Sequence, residues 1–222
     1  TRSLELGDYA AWSGAGVALA SMLLDSGRVS EAMETGHEID NAASLGVPSK
    51  TMFETFRLLG KCAAQAGRRE DALGYLSRAL RWASHVEDDL RRRTYYEHGF
   101  LGIQLGEFAE GATSLKAFMD LAEDREGIRY LTSELMFAWA RLEADGLDGA
   151  SDLVTAVGAV AGLQSVLDDD VAWAQAGLGR ALWRLGHHHR GRLFLQRAQR
   201  QYAALGYESE ASALGDELSR QG

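Results

Sequence analysis

Two runs of like residues are the first places to look for chemistry: His187-His188-His189 and Asp168-Asp169-Asp170. Helical metal sites use histidines one turn apart, typically i and i+4, so that the imidazoles converge. Three adjacent histidines splay around the chain instead, and no Cys or Glu stands at ligand spacing beside them, so they read as a solvated turn. The aspartates read as a helix start, where negative charge complements the helix dipole. A calcium loop would need further oxygen ligands at defined steps. Cys62 lies in an apolar stretch and reads as a small packing residue. The serines carry no strained elbow motif, and no nucleophile, base and orienting group fall together. The expectation is a protein with no catalytic residues, no cofactor and no metal site.

Chemistry that is not catalytic must lie in binding, and composition limits what can be bound. The formal net charge of −9 disfavours non-specific attachment to nucleic acid or anionic membrane. Only Lys50, Lys61 and Lys116 are lysines among 23 basic residues, an arginine bias that suits a GC-rich genome. A single cysteine cannot form an internal disulfide, and there is neither an 18-residue apolar run nor a signal-peptide pattern. A cytoplasmic protein is expected. One proline, Pro48, with 46% apolar residues leans towards an ordered all-α chain, in which 25 glycines must serve particular places.

Those places are regular. Gly27, Gly67, Gly106, Gly146 and Gly186 are separated by 40, 39, 40 and 40 residues, each between two stretches of helical periodicity. A fixed period of this size marks a repeat array. Glycine closes each helix in the left-handed conformation and lets the chain reverse. Small residues recur where helices must cross closely: Gly60, Gly99 and Gly179 in first helices; Ala32, Ala72, Gly111, Ala150 and Gly191 in second helices. In the fourth repeat Trp139 or Ala138 takes the glycine position, and the turn Asp145-Gly146-Leu147-Asp148-Gly149 is shifted by one residue. The predicted helices are 8–25 and 29–45, 49–65 and 69–86, 89–105 and 107–123, 127–144 and 148–164, 169–185 and 188–205, with a capping helix over 207–220. Ser49 and Asp170 are expected helix starts. A single domain, 1–222, follows, with repeats at 8–46, 47–87, 88–126, 127–166 and 167–206. The extra length over a short repeat is assigned to the second helices, whose tails read Ala43-Ser44-Leu45-Gly46 and Ala203-Ala204-Leu205-Gly206. Leu4-Glu5-Leu6-Gly7 falls one period before the first tail, so the chain is expected to be a segment of a larger protein.

The second repeat, with Phe56, Leu59-Gly60, Ala63, Gly67, Ala72, Leu76 and Ala79, resembles the tetratricopeptide (TPR) pattern, and the fifth copies it with Leu178-Gly179, Leu182, Gly186, Gly191, Leu195 and Ala198. The resemblance implies an α-solenoid, a right-handed superhelix of antiparallel helix pairs whose first helices line a concave face. On that face it places Arg57, Lys61 and Gln65; Arg93, Tyr96, Phe100 and Gln104; and Trp173, Arg180, Trp183 and Arg184. Arginines and aromatics dominate recognition hot spots, and cations gathered on an acidic protein suit an anionic partner. The alternative is that the aromatics are packing residues and the arginines ordinary surface charges.

The long period and the tail Tyr202-Ala203-Ala204-Leu205-Gly206, with Ala211 and Leu218 after it, are similar to the TPR arrays of large ATP-dependent LuxR-type bacterial transcriptional regulators, the class of the maltose-regulon activator. The chain has neither GxxxxGK[ST] nor a helix-turn-helix, so no ATPase or DNA-binding role is expected of it. The resemblance implies a signalling module that binds a protein, a peptide or an anionic effector. The competing expectation is an assembly scaffold acting as a homo-oligomer.

Overall fold

The structure, a computed structural model, describes residues 8–125, 127–146, 163 and 166–220. Among them are ten α-helices and no strand. In chain order they are α1 (Tyr9–Asp25), α2 (Val29–Asn41), α3 (Ser49–Gln65), α4 (Arg69–Leu80), α5 (Asp88–Leu105), α6 (Phe108–Asp120), α7 (Ile128–Asp145), α8 (Asp169–Arg184), α9 (His188–Leu205) and α10 (Glu208–Arg220). No described helix is long and apolar enough to cross a membrane.

Five reversals share one hydrogen-bond signature. The amide of Gly27 donates to Leu24 O (2.9 Å) and that of Arg28 to Leu23 O (2.8 Å). The pattern repeats at Gly67-Arg68, Gly106-Glu107, Gly186-His187 and Gly206-Tyr207. This is the Schellman closure, which satisfies the last carbonyls of a helix and needs a left-handed residue. Each of these glycines has φ between 74° and 85°. Gly146 differs, with φ 62° and ψ −133°, so the fourth reversal uses another geometry where the sequence shows a shifted turn. Apart from Leu163, a buried turn residue, the predicted helix 148–164 lies outside the described residues, as do Ala150 and the Leu4–Gly7 tail.

The expected second helices are shorter than predicted in the first three repeats. The helix expected over 29–45 ends at Asn41, and Ala43–Leu45 form a 3₁₀ turn; that over 69–86 ends at Leu80, with a 3₁₀ turn at Ala83–His85. That over 107–123 is α6, which ends at Asp120. The amide of Ala42 is shared between the carbonyls of Glu38 and Ile39, which tightens the last turn and breaks the α ladder. Gly46 (φ 98°) then ends the segment, and Pro48 bars helix from the residue before it. Among the described residues, only in the fifth repeat does the tail stay helical, to Leu205. Asp168, rather than Asp170, caps α8, its carboxylate accepting from the Val171 amide at 3.1 Å.

The contacts gather into two compact units, Thr1–Leu101 and Gly102–Gly222. In the first, α1 packs on α2 and α3, and α3 on α4. Phe53, Phe56, Leu59 and Cys62 of α3 meet Ala20 and Leu23 of α1, Ala32 and Met33 of α2, and Ala79 of α4. In the second, α6 packs on α7, α7 on α8, α8 on α9 and α9 on α10. Its last core joins Ala176, Leu195, Ala198, Leu214 and Leu218.

The small residues stand where backbones nearly touch. A methyl added at Gly60 would lie 3.0 Å from Leu76 Cγ and 3.4 Å from Ala72 O. At Gly191 it would lie 2.7 Å from Gly179 O and 3.0 Å from Trp183 N. In the third repeat the tight contact comes from Gly102, whose added methyl would stand 3.2 Å from Gly111 Cα, one turn beyond the predicted Gly99. In the fourth, buried Trp139 fills the small-residue position, and Gly177 makes room: a methyl there would sit 2.5 Å from the indole.

Gly191→Ala is therefore expected to lower stability by about 1–3 kcal/mol, because the obstacles are backbone atoms that cannot move aside. Gly74, inside α4 with nothing within 4 Å, should behave oppositely. Gly74→Ala should raise stability by about 0.5–1 kcal/mol through helix propensity. Denaturant midpoints of the two variants check this; equal shifts of one sign would contradict the assigned packing.

Candidate functional site

In the first unit the face shared by the first helices α1, α3 and α5 opens into a groove of about 450 Å³. Gly14, Val17, Ala18, Ser21, Leu24 and Asp25 line it from α1; Glu54, Arg57, Leu58 and Lys61 from α3; Leu90 from α5. Positions one turn apart on α1 and α3 supply these walls, as helical geometry requires. The floor is apolar, and the rim carries both signs of charge.

Arg57 and Lys61 both line this groove, but in different electrostatic states. The Arg57 side chain is only 17% exposed, and its Nη2 donates to Glu97 Oε1 of α5 at 2.8 Å. Arg57 Nε and Glu97 Oε2 are buried and have no hydrogen-bond partner of their own. Lys61 is exposed and makes no ion pair among the described residues. Gln65 is exposed at the end of α3. Further along α5, Arg93 pairs with Asp89 (2.9 Å), Tyr96 stacks on Phe100 with centroids 6.2 Å apart, and Gln104 is half-buried.

The second unit holds the other predicted residues. Trp173 is half-buried, edge-on to Trp139 at 4.8 Å, and Trp139 in turn meets Phe108 at 5.9 Å. Trp183 lies against the His188 ring at 4.6 Å. Arg180 is paired with Glu217 of α10 (2.9 Å), and Arg184 with Glu143 of α7. Glu143 also accepts from Trp139 Nε1 at 3.0 Å. Four of the five cations expected at the first helices are thus paired with carboxylates, each within its own unit.

Five ion pairs share a feature that sequence reading missed. Arg57–Glu97, Arg180–Glu217 and Arg184–Glu143 join residues 40, 37 and 41 positions apart, and Lys50–Glu87 and Arg78–Asp40 span 37 and 38. Each cation finds its acid one repeat away. The signal was available as an acid at one period from each arginine. Arg78 shows the motif at its fullest, bonding both Asp40 oxygens at 2.9 Å while its guanidinium lies 4.0 Å over the Phe56 ring. The α1 contribution to the groove was also missed, because α1 is apolar nearly all round and no single face stands out.

Among the described residues no three His, Cys, Asp or Glu side chains are grouped to hold a metal ion. Asp168 is spent on its cap, and His188 and His189 are exposed at the start of α9. Burial pushes the Cys62 thiol up from its usual range, which keeps it out of the reactive thiolate form. Burial likewise raises the Glu134 carboxyl, opposed by a hydrogen bond from Tyr130 and by the charge of Arg125.

No protein-family model and no curated protein matches the sequence. Solved structures do match in fold. A Podosopora anserina putative kinesin light chain of nearly identical TPR-like repeats is 17% identical, covering 86% of this chain and 95% of its own, with a TM-score of 0.58. YrrB, described as a TPR protein with an unusual peptide-binding site, is 14% identical over 87% of this chain and 90% of its own, TM-score 0.61. MamA is 14% identical over 86% and 92%, TM-score 0.59. The fold is a TPR-like array of helical repeats.

Arg57→Glu should place a carboxylate against Glu97 and Glu54 and lower stability by about 1–3 kcal/mol. Adding Glu97→Arg should recover part of that loss, with a coupling of about 0.5–1.5 kcal/mol. A double-mutant cycle in urea measures it, and zero coupling would show the pair to be incidental.

Proposed function

We propose that this protein is a non-catalytic binding module that holds a peptide segment of a partner protein in the groove between α1, α3 and α5. The observation that carries the reading is the groove itself: an open cleft of about 450 Å³ with an apolar floor of Val17, Ala18, Leu58 and Leu90 and a rim of Asp25, Glu54 and Lys61. Binding clefts combine an apolar lining with a few oriented polar groups. A peptide offers apolar side chains to such a floor and charges of both signs to such a rim. The ion pairing of Arg57, Arg93, Arg180 and Arg184 favours a segment of mixed charge over a polyanionic effector. Lys61 supplies the cation for an acidic residue of the ligand, and the Tyr96–Phe100 stack supplies aromatic surface on α5. In the second unit we assign Trp183 to ligand contact, with Trp173 serving mainly as packing. The peptide-binding site ascribed to YrrB supports the same use of the fold.

The wider setting we propose is the cytoplasmic sensor and interaction region of a bacterial transcriptional regulator. It rests on the repeat of about 40 residues and its Ala-x-Leu-Gly tails. The partner would then be another signalling protein.

Panning a displayed library of random dodecapeptides against the protein should enrich sequences that pair apolar residues with an acid. Their affinity should fall at least about tenfold in a Ser21→Arg, Lys61→Glu double variant of unchanged helicity, since both positions are exposed at the groove. Peptides that bind this folded variant as well as the parent would move the site elsewhere.

A further inference from the structure

Between Asp170 and Glu208 the chain has no acidic residue, although it holds 32 in all. That stretch forms the hairpin of α8 and α9 and carries Arg180, Arg184, Arg190, Arg192, Arg197 and Arg200. The chain is −9 overall, so these six cations leave −15 on the rest. Arg180 and Arg184 of α8 are paired with Glu217 and Glu143. The four arginines of α9 are different. None of them makes an ion pair among the described residues, and Arg200 bonds the backbone carbonyl of Gln196 at 3.2 Å, which leaves its charge in place. Away from α9, ten described arginines meet a carboxylate, Arg28, Arg68 and Arg141 among them.

Helix α9 turns Gly191, Phe194, Leu195 and Ala198 inwards. Helical spacing sets the arginines on the other side. Arg192, Gln196 and Arg200 follow one another at steps of four, while Arg190 stands three residues before Leu193 and Arg197 four after it. Arg190, Arg192 and Arg200 are exposed, Arg197 is half-buried, and Leu193 among them is 45% exposed. Helix stability does not account for this arrangement. Six other helices carry an acid in the first turn, where the helix dipole favours negative charge, whereas α9 begins His188-His189-Arg190. The guanidiniums also repel one another, with no carboxylate on their own helix to offset them.

We propose that the outer face of α9 is a second binding surface, built on other residues than the groove, and that it takes an acidic segment of a partner protein with an apolar residue set among its carboxylates. Charge complementarity selects that occupant. A guanidinium holds a carboxylate through two parallel hydrogen bonds, and a bound acid relieves the repulsion within the patch. Leu193 decides between kinds of anion. A nucleic acid meets the patch with phosphates and gives an exposed leucine little to pack against, whereas an acidic peptide can bring a leucine or phenylalanine to it. The rest of the chain acts in the same direction. Its −15 repels a long polyanion that must run past the patch, while a short segment need touch only α9.

Fluorescence anisotropy with two labelled probes tests this. One is a peptide of about twelve residues repeating Glu-Glu-Leu, long enough even as a helix to follow the roughly 15 Å from Arg190 to Arg200. The other is an oligothymidylate of equal charge. The peptide should bind the protein at low salt, more tightly than the oligothymidylate, and more weakly as salt rises. Arg192→Glu with Arg200→Glu should lower its affinity at least about tenfold at unchanged helicity, and Leu193→Ser at least about threefold. The groove variant Ser21→Arg, Lys61→Glu should bind the peptide as the parent does, which separates this surface from the groove. No binding at low salt overturns the proposal, as does tighter binding of the oligothymidylate, full affinity in the folded charge-reversed or Leu193→Ser protein, or loss of binding in the groove variant.

Discussion

Everything in this molecule depends on how closely paired helices can approach. Gly191 stands under the carbonyl of Gly179, and Gly102 under the backbone of Gly111, with no space for even a methyl group between them. That approach is possible only because the chain reverses within two residues at a left-handed glycine, whose Schellman closure consumes the amides and carbonyls that a longer loop would leave to solvent. Turn and crossing are one constraint. The turn delivers the second helix at short range, and small residues let it stay there. Leucines such as Leu59, Leu76 and Leu195 then fill the surrounding space.

The fourth repeat shows how the constraint can be met otherwise. Trp139 occupies the position that is glycine in three other repeats. Its indole is taken up by Gly177 of α8, flanked by Trp173 and Phe108, and fixed through Nε1 to Glu143. One large side chain has been exchanged for a missing one elsewhere, so volume is conserved across neighbouring helices while the local pattern is lost.

A second layer of order is electrostatic. Pairs such as Arg57–Glu97 and Arg78–Asp40 tie a residue to its counterpart one repeat on, with partial burial that strengthens them over freely exposed pairs. This bears on function as well as stability. An arginine engaged in holding repeats together positions the groove wall, and what remains for recognition is the apolar floor, the exposed Lys61 and the aromatic pair on α5. If the groove holds a peptide as proposed, it would discriminate by shape and apolar contact first, with charge setting the register of what lies in it.

The sequence by itself determined the all-α class and four of its five left-handed reversal points, Gly27, Gly67, Gly106 and Gly186, because these follow from local chemistry: a period of about 40 residues and glycines that must be left-handed. It also placed Arg57 and Lys61 on one helix face, since spacing alone decides that. Only the tertiary structure decided the state of those side chains. Glu97 lies 40 residues from Arg57 and is one acid among 32, and nothing local distinguishes it as a partner. The early ends of α2 and α4 were likewise hidden, because Ala42 and Trp82 can both continue a helix and neither residue type marks the change to a 3₁₀ turn. The buried side of α1 was concealed for the opposite reason: a helix that is apolar nearly all round shows which side is buried only once its neighbours are in place.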